Sequence, residues 1–191
     1  MTKEVVVLVS GTGTLLQALI DAIESGSVDA RVAAVVSDQS GAPALERARR
    51  HGIEAIAHPF RKGGDRALWD AELAEIVGAF EPDLVASAGF MKLLGGAFLA
   101  RFGGHTINSH PSLLPSFPGM RAPADALAAG VKVTGATVFI VDPGIDTGRI
   151  LVQTAVDVHD EDTVQTLHER IKIVERELLV RAVREWEPGE S

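Results

Sequence analysis

Two kinds of hydrophobic run alternate along the chain. Residues 4–10 (EVVVLVS) are a β-branched run without polar alternation, the pattern of a parallel strand covered on both faces. Leu15, Leu16, Leu19, Ile20 and Ile23 then fall at i, i+3, i+4 spacing, which predicts a helix over 15–23. The alternation repeats. Residues 31–37 (RVAAVVS) read as a second buried strand, 44–51 as a helix ended by Gly52, and 53–57 as a short third strand. Asp65 is placed to cap a helix over 66–80, whose apolar side is Leu68, Trp69, Leu73, Ile76 and Val77. A fourth strand over 83–86, a helix over 96–102 and a fifth strand over 105–108 follow. A short helix at 122–129 ended by Gly130 comes next, then strands at 132–141 and 149–156. An amphipathic helix fills most of 160–187, with Val164, Leu167, Ile171, Val174 and Leu178 as its stripe, and 188–191 are expected to fray. The order predicts an α/β fold built on a largely parallel sheet.

Three interruptions of this pattern carry polar or conformationally special residues. The first is Gly11-Thr12-Gly13-Thr14, between the first strand and helix. Such a turn leaves N–H groups at the positive end of a helix, where a phosphate can sit against Gly13, Thr14 and Leu15, although a tight βα connection explains the glycines equally well. It is neither G-x-G-x-x-G nor a P-loop. The second is 87–94 (SAGFMKLL), an apolar segment where the sheet should end, suited either to core or to the wall of a site for a flat aromatic ligand. The third is 106–119 (TINSHPSLLPSFPG). A strand ending at Thr106-Ile107 puts Asn108 and His110 on one face by its period of two, and Pro111, Pro115 and Pro118 stiffen the loop over 109–119. An isolated Asn-x-His is explained as well by turn and core roles, but 141–148 (VDPGIDTG) adds a second turn-rich strand end with two carboxylates. Arg66, in the first turn of its helix, opposes the helix dipole and so invites either a ligand contact or a solvated position.

Composition narrows the classes. The 191 residues, 46% hydrophobic, suffice for one large domain or two small lobes. Lys plus Arg number 18 against 26 Asp plus Glu, for a net charge of -8, and no basic-aromatic patch marks a nucleic-acid face, so an anionic substrate needs a local site. Without cysteine there is no disulfide, thiolate metal site or cysteine nucleophile. The N-terminal apolar run is too short for a signal peptide and no stretch approaches a membrane span, which makes the cytoplasm the default location.

Five segments, SGTGT, AGFMKLL, INSHPSLLPSFPG, GATVFIVDPGIDTG and LHERIKIVERELL, occur in an order and spacing that resembles the glycinamide ribonucleotide formyltransferases, folate-dependent enzymes of purine synthesis. The likeness spans almost the whole chain. It implies one formyltransferase domain over 1–191 with a Rossmann-like, mostly parallel twisted sheet and helices on both faces. Residues 1–103 would be its nucleotide-binding half, and 104–191 its catalytic and folate-binding half. The catalytic trio falls on Asn108, His110 and Asp146, with the Thr137 hydroxyl nearby. The ribonucleotide phosphate falls on Gly13, Thr14 and Leu15, with Glu175 as a further ribonucleotide contact. The co-substrate, 10-formyltetrahydrofolate, falls on Arg66, on Met91, Lys92, Leu93 and Leu94, on Asn108 and on the loop of the 140s. No metal, nucleic acid or membrane partner is implied, and a homodimer is compatible with the resemblance. Four positions depart from it: the family commonly has His at Arg121, Phe139 and Arg176, and Arg at Lys92.

Chemistry agrees with that trio. When an amine attacks a formyl carbon, negative charge grows on the formyl oxygen, and donors fixed there stabilise the transition state above the ground state. Asn108 and a protonated His110 are such donors. A nearby carboxylate favours the charged imidazole, and Asp146 can also take up, through water, the proton that the amine must lose. Rival readings are another formyl-tetrahydrofolate enzyme, either a hydrolase or a formyltransferase of initiator tRNA or a nucleotide sugar, and a non-catalytic nucleotide-binding module. The rival enzymes normally add a further domain, whereas here the core starts within a few residues of Met1 and ends after one helix.

Overall fold

The computed structural model describes residues 2–187; Met1 and residues 188–191, for which fraying was the expectation, lie outside the described residues. The elements are β1 (Lys3–Val9), α1 (Thr14–Glu24), β2 (Ala30–Ser37), α2 (Pro43–Arg50), β3 (Glu54–Ala57), α3 (Arg66–Gly78) and β4 (Leu84–Ser87). They continue with α4 (Gly96–Phe102), a 3-10 turn (Gly103–His105), β5 (Thr106–His110), α5 (Ala122–Ala129), β6 (Val133–Ile140), β7 (Ile150–Asp157) and α6 (Val164–Glu185). One sheet runs through all seven strands in the order β3-β2-β1-β4-β5-β6-β7. The pairings from β3 to β5 are parallel, and β6 and β7 add two antiparallel strands.

β1 shows why its sequence lacks polar alternation. Val5, Val7 and Val9 belong to a core shared with α1, α2 and α6, while Val6 and Leu8 belong to a second core under α3 and α4, so both faces are dry. Each such side chain contributes about 1.5–3 kcal/mol on burial, which is what holds the strand at the centre of the sheet. In β2 the register slips opposite Val5/Val6, and Ala33 and Ala34 both join the second core, as a bulge requires.

Helix ends follow their local chemistry. Asp65 accepts the N–H groups of Ala67 and Leu68 at 2.9 and 3.1 Å and starts α3 as expected. Thr163 and Thr166 form a reciprocal capping box, which starts α6 at Val164 rather than at 160. Its other end is held by Lys3, whose ammonium donates to the carbonyls of Val183 and Arg184 at 3.1 and 2.7 Å. Two residues expected in apolar stripes are instead exposed: Leu68 at 58% and Val164 at 48%, both in the first turn of a helix. The place of α6 on the core face is taken by Leu167, Ile171, Glu175, Leu178 and Ala182.

The two faces of the sheet are covered unequally, and this positions the site. Helices α1, α2 and α6 pack one face along its length. On the other face the α3–α4 core draws on β1, β2 and β4 and takes no residue of β5, β6 or β7. There, Thr106 still reaches the Phe102 carbonyl at the end of α4 at 2.8 Å, while His110 further along β5 meets loops.

Candidate active site

β5 continues past the predicted end at Asn108, through Ser109 to His110, because Ser109 and His110 pair with Val138 and Thr137 of β6. Alternation then divides the strand. Ile107 lies in the core under α6 and Ser109 donates to Glu175 of that helix at 2.8 Å, so Asn108 and His110 face the other way, toward the loops. Asn108 is half-buried and sits across from Phe139, while Thr137 is the cross-strand neighbour of His110.

The segment over 111–119 is irregular, as its prolines predict, and contains a cis peptide at Leu114-Pro115. It is tied to the sheet by two side chains. Thr137 Oγ1 donates to the Ser112 carbonyl at 2.7 Å and accepts the Leu114 N–H at 3.1 Å. Gln153 Nε2, from β7, donates to the Leu114 carbonyl at 2.7 Å and to Thr137 Oγ1 at 2.9 Å. Further along, the Phe117 carbonyl is 2.9 Å from His110 Nε2, which fixes the ring.

The other ring nitrogen faces Asp146. His110 Nδ1 and Asp146 Oδ2 are 3.5 Å apart, and the two side chains are only 6% and 13% exposed. Both nitrogens thus look at oxygen acceptors, an arrangement that is complete when both carry hydrogen. The Nδ1 distance is too long for a full hydrogen bond, so this nitrogen keeps capacity for another oxygen. Asp146 itself sits at φ +55°, a left-handed conformation that Asp tolerates, and its Oδ2 accepts the Gly119 N–H at 2.7 Å. Asp142, the other carboxylate of this loop, is used locally: Thr147 Oγ1 lies 2.8 and 3.0 Å from its oxygens and the Gly144 N–H lies at 3.0 Å.

At the end of β1 the glycine turn packs directly on α2. Gly13 has φ +73°, and a Cβ there would come within 2.7 Å of the Ala44 Cβ. The carbonyls of Gly11, Thr12 and Gly13 accept from Ala44 N–H, Arg47 Nε and Gln17 N–H at 3.2, 2.8 and 2.9 Å. Gln17 is the first residue of α1 whose N–H finds an intrahelical partner, which leaves those of Gly13, Thr14 and Leu15 without one among the described residues. Beside this turn, Thr14, Gln17, Arg47 and Arg176 line a hollow of about 480 Å³ between α1 and α6. Two carboxylates, Asp21 and Glu177, line it as well, so its formal charges balance and an anion would rely on the backbone N–H groups and on the arginines nearest the turn.

Glu175 occupies a core position of α6 and is 5% exposed. Burial pushes its carboxyl above the ordinary carboxylate range, against the Ser109 hydrogen bond and the charges of His110, Lys172 and Arg176. Of the remaining predicted positions, Leu94 lines a second groove, of about 620 Å³, together with Leu99, Ala100, Ile140, Val141, Asp142 and Pro143 among others. Met91 and Leu93 expose their side chains at 59% and 63%, while the Met91 N–H is held by Ser10 Oγ at 2.7 Å. Arg66 joins this segment: its guanidinium lies over the Trp69 ring, 4.3 Å from the centroid, and donates to the Leu93 carbonyl. Lys92 Nζ is 3.5 Å from Asp38 Oδ2. Of the other departures from the family pattern, Arg121 is exposed and 3.8 Å from Asp125, and Phe139 is buried.

Comparison with known proteins matches this geometry to one family. A family model described as formyl transferase matches residues 3–183. The chain is 53% identical over 178 residues to a phosphoribosylglycinamide formyltransferase of Mycobacterium tuberculosis, covering 93% of this chain and 82% of that protein. The chain belongs to the phosphoribosylglycinamide formyltransferase family. The crystal structure of glycinamide ribonucleotide transformylase 1 from Symbiobacterium toebii superposes with a TM-score of 0.93 at 44% identity, covering 96% of this chain and 86% of that one. A formyltetrahydrofolate deformylase from Pseudomonas syringae shares the fold, with a TM-score of 0.90, but only 29% of its residues, and the chain covers 61% of its length.

Two residues that hold the loops and helix start around this cleft escaped the sequence reading. Gln153 is an exposed-strand glutamine with no motif around it, and only the loop it reaches gives it a role. Asp70 is a helix carboxylate that is buried and accepts the N–H groups of Gly95 and Phe98 at 2.6 and 3.0 Å, fixing the start of α4 beside the groove. A carboxylate at an otherwise apolar helix position was its one signal.

Proposed function

We propose that this chain transfers the formyl group of 10-formyltetrahydrofolate to the amine of glycinamide ribonucleotide. The observation that carries the reading is the His110–Asp146 pair at 3.5 Å, in a chain that also holds a helix N-terminus able to take a phosphate and an apolar groove able to take a pterin. A groove of about 620 Å³ is within the usual range for a ligand of that size, and its aliphatic lining suits a flat ring. The co-substrate supplies an electrophilic formyl carbon. On this reading Gly13, Thr14 and Leu15 hold the ribonucleotide phosphate through backbone N–H groups, and Arg176 and Glu175 border the ribonucleotide from α6. Arg66 and residues 91–94 border the folate, with the loop of the 140s opposite. His110, through Nδ1, and Asn108, through its amide, donate to the formyl oxygen as charge develops there. Asp146 sustains the charged imidazole and receives, through water, the proton lost by the amine. Thr137 acts on the 111–119 loop and not on the substrate.

The same reading treats 1–191 as one domain in which 1–103 supplies the nucleotide side and 104–191 the catalytic and folate side, working in the cytoplasm, with a homodimer as a compatible assembly. An assay of 10-formyltetrahydrofolate consumption with and without glycinamide ribonucleotide tests it. Transfer that requires the ribonucleotide is expected. Release of formate at the same rate without it would make the chain a hydrolase.

A further inference from the structure

Asp38 follows β2 directly and entered the site above only as the carboxylate facing Lys92. Its side chain has 0% exposure, although a buried carboxylate is costly unless its oxygens are satisfied. The oxygens are spent on neighbouring strand ends. Oδ1 accepts the Ser10 hydroxyl at 2.5 Å, and Oδ2 accepts Gln39 Nε2 at 2.9 Å and stands 3.5 Å from Lys92 Nζ. Because the Ser10 hydrogen is committed to Asp38, the Ser10 oxygen is turned to accept, and it takes the Met91 N–H at 2.7 Å. The Ser10 N–H donates in turn to the Gly89 carbonyl at 3.2 Å. The ends of β1, β2 and β4 thus meet in one network at the point where the strand order reverses, the usual ligand crevice of an open α/β sheet.

We infer that Asp38 is a positioning residue for residues 89–92. It fixes the Met91 main chain through Ser10 and the Lys92 side chain directly, and so sets one wall of the folate side of the cleft. The inference rests on the proposed function only in taking that wall to border the folate. Lys92 gains a reason here as well: a compact ammonium reaches a buried carboxylate as a point charge, where a planar guanidinium needs a two-pronged partner.

Ser10→Ala, Asp38→Ala and Asp38→Asn test it through amide hydrogen exchange at Met91 and the KM for each substrate. In Ser10→Ala and Asp38→Ala, Met91 is expected to exchange at least ~10-fold faster. The KM for 10-formyltetrahydrofolate should rise about 10-fold, the scale of one lost hydrogen bond that leaves a donor unmet. The ribonucleotide KM and kcat should stay within about threefold. Asp38→Asn keeps an acceptor for Ser10 but replaces the oxygen that takes Gln39 Nε2 and faces Lys92 by an NH2 group, so Met91 should stay protected and the folate KM rise roughly threefold. Unchanged exchange at Met91 in Ser10→Ala would overturn the inference, as would equal rises in the two KM values. Ser10→Ala removes a single hydroxyl and carries the test alone if Asp38→Ala does not fold. An inactive wild-type enzyme would refute the proposed function, and Met91 exchange would still decide the positioning role.

Discussion

Replacing Asp146 by Asn removes one negative charge and almost nothing else. Asn also tolerates the left-handed backbone at φ +55°, and its amide oxygen can still accept the Gly119 N–H now held at 2.7 Å. The fold and the Tm should therefore change little. The loss is electrostatic. At the 3.5 Å separation from His110, a carboxylate and an imidazolium attract by about 5 kcal/mol for an effective dielectric constant near 20, an apt value for side chains this little exposed. At 1.36 kcal/mol per decade that would be roughly 3,000- to 5,000-fold in rate, and the amide dipole recovers part of it. The variant should lose about 10²–10³-fold in kcat, with substrate KM values within a few-fold. Asp142→Asn is the control: its oxygens hold Thr147 and Gly144, so it should raise the folate KM by loosening the loop and leave kcat nearly intact. Steady-state kinetics on both variants decide the matter. Near-normal turnover in Asp146→Asn beside a dead Asp142→Asn would refute the reasoning.

Other perturbations have equally definite outcomes. Gly13→Val combines a φ of +73° with a Cβ 2.7 Å from Ala44, so calorimetry should show ribonucleotide binding lost and folate binding kept; equal loss of both would remove the phosphate from this turn. Glu175 holds its proton in the folded state above the ordinary 4.5, so its contribution is complete below that value and is lost as pH rises through the higher folded one. Glu175→Gln, which mimics the protonated form, should gain Tm relative to wild type as pH rises above about 4.5, and parallel Tm curves would contradict this. Asp65→Ala leaves the N–H groups of Ala67 and Leu68 without their acceptor and should cost about 1 kcal/mol, or roughly 2–4 °C in Tm. A Tm within 1 °C of wild type, on the order of its error, would mean that this cap does not hold α3.

What could be read in advance divides by the range of the forces involved. β1 and its glycine turn were legible because an unbroken valine run and a left-handed residue are local demands. Asp65 was legible for the same reason. The length of β5 was not: His110 belongs to the strand through its pairing with Thr137, residues away in sequence, and the prolines after it argued for an earlier end. The trio, Asp146 included, was placed by the family resemblance, while the residues by themselves left two carboxylates in the loop; the Gly119 and Thr147 contacts show how differently Asp146 and Asp142 are held. Gln153 and Asp38 left no trace, since each is defined wholly by what lies across from it.

Because β5 has a helix behind it and loops before it, its consecutive residues answer to different constraints. Ile107 and Ser109 are bound to the interior under α6, whereas Asn108 and His110 stand on the opposite face, outside the α3–α4 core. Changes at the first pair should show up as less folded protein, and changes at the second as normal amounts of idle protein. A saturation scan that scores abundance and turnover separately would thus trace a two-residue rhythm along 107–110, stability and chemistry written into alternate letters of one short strand.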